Sequence, residues 1–270
     1  MGSLLYIVFG GAESEDPRTL LALPFLLGYL AGMLLYFRAR RLVAKALAED
    51  SHSPLSGSTQ SVLYLRAFDT DPTTITKVVA SSLSTEEEQL AAVLRPFGDL
   101  IAVGRPGERL PLPGAVRMYA GDSEWRDLVL DRMRSASLVV IRAGSGHGLL
   151  WEVDRAFATL PPERVLILVL HLPLKDYRTF ADQVRQATHV SLPTLGRAGL
   201  AGRLGAYNEW PSHASPGFVA FGNNWTPAFL PLPFTLGQTG FNDLRKPFNL
   251  ALRPVFEQHA VAWRPMSRLR

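Results

Sequence analysis

The chain contains no cysteine. That excludes disulfides, thiolate metal sites and a cysteine nucleophile, and it is neutral on compartment. Charged residues are also scarce, at 19% against 47% hydrophobic, so a packed core is available and wholesale disorder is not expected. The net charge of +4 is mild for 270 residues. Much of it comes from arginines beside an apolar segment and in the tail, so no nucleic-acid partner is expected. Several chemical signatures are missing as well. There is no Walker A pattern, no HExxH and no close His/Asp/Glu cluster, and no metal site is expected. Ser145 is not in a GxSxG elbow, because Ala143 stands where the first glycine is needed. The six histidines are scattered, and His147 reads as a solvent-facing loop residue. No internal repeat is apparent.

What is present begins with an anchor over residues 1–49. Leu4 to Phe9 is apolar but too short to span a bilayer, and no basic n-region precedes it, so a cleaved signal peptide is not expected. Thr19 to Phe37 is uncharged and rich in leucine, and is long enough for a transmembrane helix. Arg38, Arg40, Arg41 and Lys45 follow it, which by the positive-inside rule predicts a single-pass membrane protein with its C-terminal domain in the cytoplasm. The competing reading is a buried core helix. Gly28 and Gly32 form GxxxG, a helix-packing motif, although glycines are common in membrane helices anyway. Residues 50–61 (DSHSPLSGSTQS) are a linker and the clearest domain boundary.

Residues 62–190 alternate strand and helix. Val62 to Phe68, Leu100 to Val103, Ser137 to Arg142 and Arg164 to Leu170 read as strands. Thr85 to Phe97, Ser123 to Ser135, Gly148 to Leu160 and Lys175 to Ala187 read as helices. This order predicts an α/β domain with a parallel sheet flanked by helices. Residues 191–270 form a C-terminal extension packed on it. Within it, Gly217 to Phe221 and Trp225 to Leu230 suggest a hairpin, and Phe241 to His259 a closing helix interrupted by Pro247 and Pro254. The basic tail from Trp263 suits a position near anionic lipid.

Candidate chemistry concentrates in SLVVIRAGSGHGLLWEVDRAFATL, Ser137 to Leu160. A buried strand, a glycine-rich turn and an amphipathic helix put Glu152 in the first turn of that helix, just past the carboxyl end of a strand, where open α/β sheets bind ligands. Glu152 by itself has a simple structural reading, offsetting the helix dipole. The turn Gly144-Ser145-Gly146-His147-Gly148 can offer backbone N–H groups to a phosphate, although it is not GxGxxG. Trp125 reads as a core or interface aromatic. Asp69 and Asp71, before Pro72, read as turn formers before they read as cation ligands. Arg105 is either a phosphate contact or a solvated loop arginine. Arg117 and Tyr119 follow that loop and can brace it.

The order of elements resembles a TIR domain over roughly Val62 to Ala187. VLYLRAFDTD resembles that family's opening strand and acidic turn. GRPGERLPLPG sits where the family has its BB loop. SLVVIRAGSGHGLLWEV sits where it has its third strand and the start of the next helix. The resemblance implies a flavodoxin-like, TIR-like sheet preceded by the transmembrane helix. It implies Glu152 as the catalytic residue of an NAD glycohydrolase, with NAD as substrate and no resident cofactor. It implies pocket contacts at Phe68, Asp69, Arg105 and Trp151, beside Gly144 and Ser145 of the turn. It implies a homo-oligomer, because TIR enzymes build their site across two subunits, and a role in bacterial defence or signalling. The family's tryptophan stands four residues before its glutamate, whereas Trp151 adjoins Glu152. Breaking the nicotinamide–ribose bond develops oxocarbenium character, which a fixed carboxylate stabilises. Two other functions fit the sequence: a non-catalytic TIR-like scaffold or sensor at the membrane, and a nucleotide-binding regulator of another α/β class.

Overall fold

The computed structural model describes residues 28–36, 38–39, 60–67, 86–104, 116–119, 125–197, 212–233 and 244–266. The chain splits into two compact units, Met1–Ala46 and Leu47–Arg270. In the first unit a helix covers residues 28–36 and is seen again at 38–39. Tyr29, Leu30, Leu34 and Leu35 are all exposed on it. Among the described residues, no helix is long and apolar enough to cross a membrane. The rest of the predicted span, residues 19–27 and 37, lies outside the described residues, as do Arg40, Arg41, Lys45 and residues 50–59.

The second unit is built on one seven-stranded sheet. Its strands are β1 (Ser61–Leu65), β2 (Asp99–Gly104), β3 (Val116–Tyr119), β4 (Leu138–Arg142), β5 (Val165–Val169), β6 (Gly217–Gly222) and β7 (Thr226–Pro231). They lie in the order β3-β2-β1-β4-β5-β6-β7. β1 to β5 pair in parallel, and β6 and β7 pair antiparallel. The helices are α1 (Glu86–Leu94), α2 (Trp125–Ser135), α3 (His147–Thr159), α4 (Leu174–Thr188), α5 (Arg245–Ala251) and α6 (Arg253–Gln258).

β4 and β5 read LVVIR and VLILV, and every residue of both is buried. A parallel strand covered on both faces has no polar face to alternate with. The period of two still sorts the side chains. Leu63, Val139, Ile141 and Ile167 join the core beneath α2, α3 and α4. Val62, Tyr64, Val140 and Leu168 join the core beneath α1, α5 and α6. Gln89 of α1 is buried and accepts a hydrogen bond from the Leu244 N–H, which ties α1 to the C-terminal helices. The turn into β2 is made by Gly98 at φ +131, a left-handed conformation that favours glycine.

Three features differ from the sequence reading. First, the sheet is parallel only in part, because the chain after residue 190 adds two antiparallel strands to it. The predicted hairpin is these strands, joined through Asn223–Trp225. Gly217 makes this pairing possible, since a Cβ there would lie 2.5 Å from the Leu230 carbonyl oxygen and 2.7 Å from the Phe229 ring. Second, Val116–Tyr119 is an edge strand beside β2, not only a brace after the loop. Third, the closing helix divides at Leu252, where Pro254 enters the first turn of α6 and cannot donate to the preceding turn.

The free side of β7 is distinctive. Leu232 donates its N–H to the Pro216 carbonyl at 3.0 Å. Antiparallel alternation then turns the backbone groups of Pro227, Phe229 and Pro231 away from β6. Two of those three residues are prolines, which carry no N–H.

Candidate functional site

β1 leads to β2 on one side, and β3 crosses back to β4 on the other, so the connections diverge between β1 and β4. Ligands of open α/β sheets bind at the carboxyl ends of strands at such a switch point. Two groups of side chains stand at this edge.

The first is on α3. Ala143 to Gly146 carry the chain from β4 into the helix, with Gly146 at φ +124. Leu150 closes the first helical bond onto the Gly146 carbonyl at 3.1 Å. Leu149, Val153 and Ala156 then recur at helical spacing and are buried. Glu152 falls beside them, one turn after Leu149, which puts it in the second turn of the helix and not in the first, as the sequence had suggested. It is only 2% exposed, and its Oε2 has no hydrogen-bond partner among the described residues. Burial pushes its carboxyl up to about 8. An acid that merely offsets a helix dipole keeps its charge in water, and Glu152 does not. Trp151 is half-buried and leaves in another direction. It meets Trp125 edge-on, with ring centroids 5.0 Å apart, and the Arg126 guanidinium lies over both rings.

The second group crosses from β4 to α1. Arg142 ends an otherwise apolar strand and is buried. Its Nη1 donates to Glu86 Oε2 at 2.8 Å, and its Nη2 to the Leu170 carbonyl at 3.4 Å. His171, just after β5, places Nε2 2.7 Å from Glu86 Oε1. Burial would raise the Glu86 carboxyl, but Arg142 and His171 outweigh it and hold it down to about 2. Next to this group, Arg66 lies 3.5 Å from the buried Glu87. His171 adopts φ 52, a left-handed conformation rare for a residue with a side chain.

A cleft of about 300 Å³ opens beside Arg142 and His171. Gly144 and Ser145 form one wall, and Asp176 and Thr179 of α4 the other. Of the residues singled out in the sequence, the structure thus brings Gly144 and Ser145 to a cavity. Glu152 and Trp151 are not among the residues lining it. Phe68, Asp69 and Arg105 lie outside the described residues. Glu86, Arg142 and His171 escaped the sequence reading. A usable signal existed for Arg142, a lone charge ending a strand whose other residues are all apolar. His171 and Glu86 come from distant loops and helices and carry no local pattern. Among the described residues no group of His, Asp and Glu could hold a metal ion. No family model, curated protein or solved structure matches this chain.

Proposed function

We propose that the protein is a TIR-like NAD glycohydrolase in which Glu152 acts on the nicotinamide–ribose bond. One observation carries this reading: a buried carboxyl whose Oε2 has no hydrogen-bond partner among the described residues, on the helix that follows a central strand of the sheet. A scaffold role predicts Glu152 exposed, or paired to a structural arginine; it is buried, and no arginine among the described residues pairs with it. With β3 set aside, the order β2-β1-β4-β5-β6 is that of a flavodoxin-like sheet with the last strand reversed, which suits a TIR-like domain.

In the reaction the C–N bond breaks and its electron pair leaves with nicotinamide. Positive charge develops on the ribose, and water adds at the same carbon and loses a proton. The ionised Glu152 stabilises the positive ribose from a site of low dielectric, where a charge pair is stronger than in water. In the free protein a carboxyl with a pKa of about 8 is mostly neutral at pH 7. The cationic nicotinamide ring of the substrate draws it toward the carboxylate.

Anchoring at a membrane is part of the proposal. Its support is the helix at residues 28–36, whose apolar side chains are exposed around its circumference. Anchoring concentrates the domain on a surface and favours homo-oligomers. The test is nicotinamide release from NAD by the full-length protein in nanodiscs at high density, beside Glu152→Ala and Glu152→Gln. Release by wild type and its loss in both variants is the expected result. Equal release from all three, or none from a clustered sample, removes the assignment.

A further inference from the structure

We infer that the face formed by α5, α6 and residues 261–266 docks on an anionic lipid surface. This contact belongs to the second unit itself. It uses no residue of the apolar helix or of the Glu152 site, and it rests on the anchoring proposed above only for keeping the domain within reach of a bilayer. A basic tail by itself is a matter of composition, and the structure turns it into part of a fixed surface. Three observations support it.

The first is charge. Residues 244–270 hold six basic side chains and one acidic, Glu257, for a net +5, whereas the other 243 residues sum to −1. Lys246, Arg253 and Arg264 of this stretch are exposed, and Arg268 and Arg270 lie outside the described residues. Glu257 pairs with Arg253 at 2.8 Å. The second is an exposed apolar residue. Leu250 is 39% exposed, and among the described residues of the second unit no other large hydrophobic side chain is so open. It stands one turn after Lys246 on α5. The third is rigidity. Asn249 is buried and holds the following segment at three points. Its Nδ2 donates to the Arg264 carbonyl at 3.1 Å, its Oδ1 accepts from the Met266 N–H at 3.3 Å, and its backbone carbonyl accepts from Trp263 Nε1 at 3.0 Å. The Arg253 guanidinium lies 5.1 Å from the centre of the Trp263 ring. Trp263 and Arg264 are thus held against α5 and do not trail from it. A bilayer interface accepts a tryptophan and a leucine among basic side chains, because the apolar groups enter between headgroups whose phosphates and carboxylates meet the cations. A nucleic-acid backbone would answer the charges and leave Leu250 without an apolar partner.

The chain has no cysteine, so a single introduced cysteine carries a single fluorescent label. Full-length Leu250→Cys, labelled with bimane, is placed in nanodiscs of phosphatidylcholine alone or mixed with phosphatidylserine, each containing a doxyl-lipid quencher. Gln186→Cys, exposed on α4 across the sheet from α5, is the reference. The label at position 250 is expected to be quenched in the anionic discs at low salt, and to recover in neutral discs or on adding salt, while the label at position 186 stays bright throughout. Adding Lys246→Gln and Arg264→Gln should lower the ratio of docked to free domain about 25-fold, since each basic residue contributes about fivefold at an anionic surface. Adding Glu152→Ala should leave docking unchanged, which separates this result from nicotinamide release. Co-elution with neutral discs reports the anchor alone, so a failed anchor is told apart from a failed face. Quenching at position 250 that is absent, or equal in the two lipids, overturns the inference. So does a double variant without effect, or equal quenching of the two labels. Shielding of position 250 from aqueous acrylamide without quenching by lipid gives the face to a second copy or another protein, and overturns it too.

Discussion

Replacing Glu152 by glutamine should make the protein more stable, and increasingly so as the pH rises. In the unfolded chain the carboxyl titrates near 4.5, and burial in the fold pushes it up to about 8. Between those values the folded state holds a proton that the unfolded state has released. Stability is therefore highest below about 4.5, falls as the pH climbs toward 8, and levels off above it. At about 1.4 kcal/mol for each pH unit, the full cost is at most about 5 kcal/mol. Glutamine has the same shape and never ionises, so it removes the cost. Urea unfolding of wild type and Glu152→Gln should give similar stabilities at pH 5 and a gap of several kcal/mol at pH 8.5. A gap that does not change with pH would refute the reasoning, because it would mean that the carboxyl is solvated or paired in the folded protein.

Four further outcomes follow from the structure. Under the proposed reaction, nicotinamide release at limiting NAD should rise with pH through about 8, since Glu152 of the free protein must ionise before it acts; a flat profile of kcat/KM from pH 6 to 9 would contradict this. Glu86→Ala strands the buried Arg142 without its carboxylate and should cost about 3 kcal/mol, read as a lower urea midpoint. Glu86 is held down to about 2, so its contribution is present above about 4.5 and is lost as the pH falls toward 2, a loss that Glu86→Gln should not show. Gly217→Ala drives a methyl group against the Leu230 carbonyl and the Phe229 ring, and should destabilise the domain by about 1–3 kcal/mol in thermal melts.

The central strands were legible in the sequence because full burial leaves an unbroken apolar run, as at Val165–Val169. Helix α3 was legible through the spacing of Leu149, Val153 and Ala156. The direction of β6 was not, since the sequence between Leu170 and Gly217 does not say on which side of β5 the chain returns. Strand β3 was hidden by its four residues, VRMY, among turn-forming neighbours. At the site, the glycine turn and Glu152 announced themselves by position after a strand. The Glu86–Arg142–His171 group did not, because its members stand 56 and 29 residues apart in sequence and meet only through the sheet.

The two prolines on β7 decide how this sheet can join another. An incoming strand needs a row of outward donors, and along β7 Pro227 and Pro231 remove two of three. Among the described residues the opposite border of the sheet is β3. A sheet that accepts neighbours on one border alone cannot grow into a fibre by adding strands. It can only meet its own copy head-on across a two-fold axis, and such a pairing stops at two. Strand pairing between copies of this domain therefore ends at a dimer and does not propagate.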